Sequence, residues 1–201
     1  MVCSFRSPLI SKSVMRGGIL LLMAVLVPGI LSAQEGDFIG TTQVYLTPDQ
    51  ARAKVFPKAT FFKREMRPLG ADLKALLVAR LGRPIAQDSL GVDLAYDAAD
   101  NLLGYAVIAE EIGKYRPITF MVGINPAFQV QKVAVLVYRE SRGGEVRRAR
   151  FLRQYAGKSA TDPIRINRDI INITGATMSV RSLNFGVRKV LYLTQALYGD
   201  S

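Results

Sequence analysis

The stretch Asp169-Ile170-Ile171-Asn172-Ile173-Thr174-Gly175-Ala176-Thr177-Met178-Ser179 gathers three hydroxyls around a glycine, just ahead of a long helical pattern. Gly175 allows a tight turn and close backbone approach, and Ala176 is small. Thr177 falls at the helix start, where unpaired backbone N–H groups and the helix dipole favour an anion. A phosphate held at Thr177 would be favourably placed. On these residues alone, an ordinary capped turn is the commoner meaning of Thr174-Gly175-Ala176-Thr177.

The composition excludes much other chemistry. The 201 residues include one Cys, no His and no Trp. Without His there is no Ser-His-Asp triad, no HExxH zinc site and no His-ligated haem. A single Cys makes no internal disulfide, CxxC pair or iron–sulfur cluster. Redox work by such a chain needs an organic cofactor to carry the electrons.

The elements that must position the threonine segment are readable from pattern. Thr47-Pro48-Asp49-Gln50 opens a short helix: Thr47 caps, Pro48 suits the first helical position and Gln50 completes a capping box. Pro57 ends it. Residues 59–66 read as a strand. Residues 71–81 read as a helix with Leu73, Leu76, Leu77 and Leu81 on one face, stopped by Gly82 and Pro84. Strands follow at 91–96, 103–110, 115–124 and 128–138, separated by turn compositions. Their short connections make them antiparallel neighbours. The loop 140–145 leads to a helix expected over 146–155, and 157–168 is mostly loop. From Met178 to Tyr198, Val180, Leu183, Val187, Val190, Leu191, Thr194 and Leu197 recur at helical spacing. The fold class is α+β: an antiparallel β-meander packed with helices, with a long C-terminal helix starting at the threonine motif.

Residues 1–33 carry Arg6, Lys12 and Arg16, no acidic residue, and the apolar run Ile19 to Leu31 broken by Pro28-Gly29. That is the pattern of a cleaved secretory signal ending near Ala33. The run is shorter than the ~20 residues of a spanning helix. An uncleaved N-terminal anchor is the alternative, and a buried core helix the bland one. The expected division is residues 1–33 as leader and 34–201 as one domain, in an extracytoplasmic location such as the periplasm or the outer face of the inner membrane. Cys3 precedes the apolar run, so it is no lipidation site, and cleavage would leave a Cys-free chain suited to an oxidising compartment.

The formal net charge is +11, and +8 without the three basic residues of the leader. The densest basic run, Arg139 to Arg153, holds six Arg against Glu140 and Glu145. It reads as a solvated helix face or as a docking surface for an acidic partner or anionic lipid. Export and the lack of a binding motif argue against nucleic acid.

The stretch DIINITGATMSVRSLNFGVRKVL resembles the flavinylation segment of the FMN-binding domain family, which includes covalent-FMN subunits of the Rnf and sodium-pumping NADH:quinone reductase complexes. The family motif is roughly D-x-x-[ST]-G-A-T with a hydroxyl two residues on. Thr174-Gly175-Ala176-Thr177 and Ser179 match it. The resemblance implies FMN joined through a phosphodiester bond to Thr177 by an exported flavin transferase, with Thr174, Gly175, Ala176, Met178 and Ser179 around the attachment point. GKYRPITFMVGIN (113–125), ESRGG (140–144), FLRQYAGKS (151–159) and YLTPDQARAKVFP (45–57) are also similar to family elements. By resemblance, the ESRGG loop borders the flavin ring, with Glu140 as a polar contact and Gly143-Gly144 allowing close approach. Glu140 reads at least as well as the partner of a nearby arginine. Tyr115 and Arg116 are weaker candidates, and Tyr115 reads rather as a strand aromatic packed in the core. One departure stands out: Ile171 occupies the place of the motif Asp, leaving Asp169 or Asn172 to substitute.

The implied function is an extracytoplasmic electron-transfer flavoprotein serving a membrane or extracytoplasmic redox partner, an acidic one being suited to the basic surface. A carrier needs no acid–base residue of its own, which suits a chain without His. The alternatives are a flavin-free structural or assembly subunit that keeps the fold, and the FMN subunit of a larger reductase.

Overall fold

The computed structural model describes residues 42–199. The apolar leader segment lies outside the described residues. Six antiparallel strands form one sheet: β1 (Gln43–Val44), β2 (Phe61–Pro68), β3 (Ser89–Tyr96), β4 (Leu102–Ile112), β5 (Pro117–Ile124) and β6 (Val130–Tyr138). The order across the sheet is β1-β6-β5-β4-β3-β2, so β2 to β6 are a simple meander and β1 adds to the outer edge of β6.

Alternation along the strands gives the sheet two apolar faces. Ile118, Phe120, Val122 and Ile124 of β5 join Tyr105, Val107 and Ala109 of β4 in the larger core. Helix α4 (Thr177–Tyr198) covers that face through Val180, Leu183, Val187, Val190 and Leu191, all fully buried. Burying each such side chain contributes roughly 1.5–3 kcal/mol. The apolar stripe expected from the sequence is therefore the packed stripe. Met121, Ala134 and Leu136 point the other way, where Ala51 and Val55 of helix α1 (Pro48–Val55) and its C-cap residue Phe56 cover them. The capping box of α1 forms as expected: the Gln50 N–H donates to Thr47 Oγ1 at 3.2 Å, and the Thr47 N–H to Gln50 Oε1 at 2.9 Å.

Helix α2 (Ala71–Leu81) packs beside α4 on a narrower stripe than expected. Leu77 and Leu81 are buried, but Leu76 is 51% exposed. The helix expected over 146–155 is not continuous. A 3₁₀ turn covers Gly144–Arg147, Arg148 is extended, helix α3 spans Ala149–Leu152, and a second 3₁₀ turn covers Arg153–Tyr155. The reason is burial. In one regular helix Val146 and Tyr155 would lie about 180° apart, yet both are fully buried in the same core. The break at Arg148 turns both inward. Strand β2 lies two residues beyond its expected span, and β1 carries no pattern of its own. Among the described residues, no helix is long and apolar enough to cross a membrane.

Candidate functional site

The loop after β6 and the turn before α4 meet across a cleft of about 380 Å³. Its walls are Glu140 to Glu145 on one side and Thr174-Gly175 on the other, with Gln43 of β1 and Tyr138 of β6 completing it. Two segments thirty residues apart in the chain, each singled out from sequence, thus share one cavity.

Tyr138 holds the two walls together. Its phenol donates to the Arg142 carbonyl at 2.5 Å and lies 2.9 Å from Ser179 Oγ. A carbonyl only accepts, so the phenol proton goes to Arg142 and the Ser179 hydroxyl donates to the phenol oxygen. Burial pushes the phenol's pKa up; the Ser179 contact opposes this, and the charges of Glu140 and Glu145 add to the rise. The group therefore stays protonated as a donor at neutral pH. Gly143, with φ +90°, fits against this pair: a Cβ there would stand 2.6 Å from Tyr138 Oη and 3.1 Å from Ser179 Oγ. Its glycine is required by contact with the protein interior. Ser179 is accordingly a buried brace, whereas Met178 is 44% exposed.

Glu140 lines the cleft, but its carboxylate is engaged. Oε1 accepts the Tyr115 N–H at 2.6 Å and the Arg116 N–H at 2.9 Å, capping the β4–β5 hairpin. Among the described residues it forms no ion pair with an arginine. Tyr115, expected in the core, is 74% exposed. Strand β5 begins only at Pro117, which leaves Tyr115 on the turn.

Gly175 adopts φ +81°, and the turn it makes delivers Thr177 as the first residue of α4. That helix start has no side-chain cap and no acidic residue in its first turn. The leading N–H groups have no intrahelical acceptor. Thr177 is half-buried and Thr174 exposed. Thr174 and Gly175 line the cleft; Thr177 is not on its wall. Instead, Asn172 Nδ2 donates to Thr177 Oγ1 at 2.9 Å. The Asn172 carbonyl oxygen is buried without a partner.

The two candidates for the missing motif acid separate clearly. Ile171, in the motif position, is 78% exposed, with its N–H donated to Gln154 Oε1 at 2.7 Å. Asp169 turns away to the preceding loop. It accepts the Arg165 N–H at 2.8 Å and the Ile164 N–H at 3.0 Å, and pairs with Lys158 at 2.9 Å. Burial alone would raise its pKa, but the Arg165 N–H, Lys158 and the Ile164 N–H outweigh it and hold the carboxyl below the usual range. Only Asn172 reaches Thr177. The sequence named Asn172 as a candidate but gave no sign of Tyr138, whose partners lie on two other segments.

These features fit a phosphate-bearing ligand. The cleft falls in the usual size range of small-molecule sites, about 300–1,000 Å³. An uncapped helix start with a hydroxyl at its first position adjoins the turn that forms one wall. Among the described residues, no group of three or more His, Cys, Asp or Glu is placed to hold a metal.

Comparison with known proteins agrees with this geometry. Residues 113–192 match the family model of the FMN-binding domain, a span that runs from the β4–β5 hairpin through the loop, the threonine turn and most of α4. Among solved structures, the fold is similar to the crystal structure of Shewanella oneidensis NqrC, with a TM-score of 0.54 and 15% identity, covering 73% of this chain and 86% of that one. No curated protein matches.

Proposed function

We propose, from the match of residues 113–192 to the family model of the FMN-binding domain, that this chain is an extracytoplasmic electron-transfer flavoprotein with FMN joined through its phosphate to Thr177. The carrying observation is the convergence of the Glu140–Gly144 loop and Thr174-Gly175 on one cleft, with the uncapped helix start at Thr177 following directly in the chain. Bound FMN would supply one- or two-electron transfer. The chain's own residues would do the positioning. Thr177 offers the hydroxyl, and the free N–H groups of α4 favour the phosphate. The braced loop borders the space open to a flavin ring, with Glu140 fixing that loop to the β4–β5 hairpin.

An exported flavin transferase would be the modifying partner, and the basic surface would steer an acidic membrane or extracytoplasmic redox partner. The NqrC-like fold supports membership in a redox assembly. Ile171 in the motif position favours one second reading, a flavin-free structural subunit that keeps the fold. Co-expression with an exported flavin transferase, followed by intact-mass measurement, separates the two. A gain of one FMN less one water, absent in Thr177→Ala, is the expected result. An unmodified, colourless protein would leave the structural reading in its place.

A further inference from the structure

We infer that Asn172 is the positioning residue for the Thr177 hydroxyl, occupying in this chain the role that Ile171 cannot perform. The inference rests on the reading of Thr177 as the flavin acceptor. Three observations carry it. Asn172 Nδ2 lies 2.9 Å from Thr177 Oγ1 across the Gly175 turn. The other end of the same amide, Oδ1, is buried with no partner. Ile171 is 78% exposed, and its N–H donates to Gln154 Oε1, away from Thr177.

A buried amide oxygen left unpaired is costly, so Asn172 is a poor choice for packing alone. It is a good choice for a hydroxyl that must be aimed. A threonine hydroxyl that accepts from Nδ2 is restricted about χ1, and its own proton is directed away from the amide, toward an incoming base. Rotation of the amide by about 180° would present Oδ1 to that proton instead. Either arrangement fixes Oγ1, and neither makes the neutral amide a base.

The bond-forming step needs a phosphorus that carries a leaving group, because FMN phosphate itself has none suited to displacement. A flavin dinucleotide supplies it. Thr177 Oγ1 forms the new P–O bond to the flavin-side phosphorus. The P–O–P bond breaks, and the nucleoside monophosphate leaves with the electron pair. The hydroxyl proton passes to a base on the transferase. No oxidation or reduction occurs. Asn172 acts before this exchange, by reducing the rotamers from which Oγ1 must be collected.

The test uses the full chain, a purified flavin transferase and flavin adenine dinucleotide, with the initial rate of mass gain as readout. Asn172→Asp has nearly the volume of Asn, and Asn172→Leu keeps its branched outline with two bulkier methyl groups. Leu fills the space without a hydrogen bond, whereas Asp accepts the Thr177 hydroxyl proton. The expected result is a loss of about tenfold in rate for Asn172→Leu, with Asn172→Asp within about threefold of the parent. Thermal unfolding of the same samples, before modification, checks the fold. A parent rate in Asn172→Leu overturns the inference while leaving Thr177 as acceptor. Equal loss in both variants with equally lowered Tm also overturns it, because the side chain would then serve packing. A parent chain that gains no mass overturns the acceptor reading itself, and the inference with it.

Discussion

Tyr138 and Ser179, forty-one residues apart, meet in the interior at 2.9 Å and tie the end of β6 to the first turn of α4. The same phenol reaches the Arg142 carbonyl, so one side chain sets the separation of the two walls of the cleft. Tyr138→Phe removes both hydrogen bonds and leaves the Arg142 carbonyl and the Ser179 hydroxyl seeking partners. A loss of about 1–3 kcal/mol in stability is expected. Chemical denaturation at neutral pH measures it. A variant as stable as the parent would show that the walls are held by something else.

Gly143 and Gly175 both have positive φ, but their surroundings differ. At Gly143 an added Cβ meets Tyr138 Oη at 2.6 Å; at Gly175 nothing lies within 4 Å. Gly143→Ala is expected to cost about 2–4 kcal/mol, from strain and from displaced neighbours. Gly175→Ala carries only the backbone cost, about 1–2 kcal/mol. Denaturation midpoints of the two variants, compared directly, check the order. Equal losses would mean that the Tyr138 contact relaxes freely.

Asp169 gives the segment before the threonine turn a dependence on acid. Its carboxyl is held below its ordinary value of 3.8 in the fold. The unfolded chain therefore binds the proton more readily. The stability from this group is complete above about pH 5 and is lost as pH falls through the lowered folded value. Ile164, whose N–H it accepts, is a buried β-branched residue at φ +43°, a conformation such residues rarely hold unaided. Asp169→Asn is expected to lose about 1–3 kcal/mol at pH 7. Once the pH has fallen below the lowered folded value, the variant and the parent should converge. A difference that does not shrink on acidification would contradict the assignment.

Ile171 is exposed enough to change without disturbing the fold. Ile171→Asp is expected to alter stability by no more than about 0.5 kcal/mol. If the family motif's acid assists modification, the same variant gains flavin faster than the parent in the co-expression assay. An unchanged or slower gain would show that Asn172 already serves the site, or that an acid at this position is immaterial here.

The legible parts of the fold were those written in local pattern. The capping box at Thr47 and Gln50, and the apolar stripe of α4 from Val180 to Leu191, are spacing effects within one element. The meander was readable because Asp97–Asn101 and Asn125-Pro126 have turn compositions between β-rich runs. What was not legible depended on contacts between elements. Val146 and Tyr155 share a core only because the chain breaks at Arg148, and no local residue announces that break. Leu76 has the right spacing but faces outward, because α2 presents only Leu77, Leu81 and part of Leu73 to the core. Strand β1 is two residues paired with Val137 and Tyr138, too short for any periodicity. At the site, the resemblance located both walls of the cleft. It did not reveal that Glu140 caps the β4–β5 hairpin, or that Asn172 reaches back to Thr177 across the Gly175 turn.

Gln43 belongs both to the shortest strand and to the wall of the cleft. A two-residue edge strand is among the first parts of a sheet to fray. Amide exchange at Gln43 and Val44 should therefore run far ahead of exchange in the central strands. One wall of the cleft would then open and close with the fraying of that edge strand, while the threonine turn on the opposite wall stays in place.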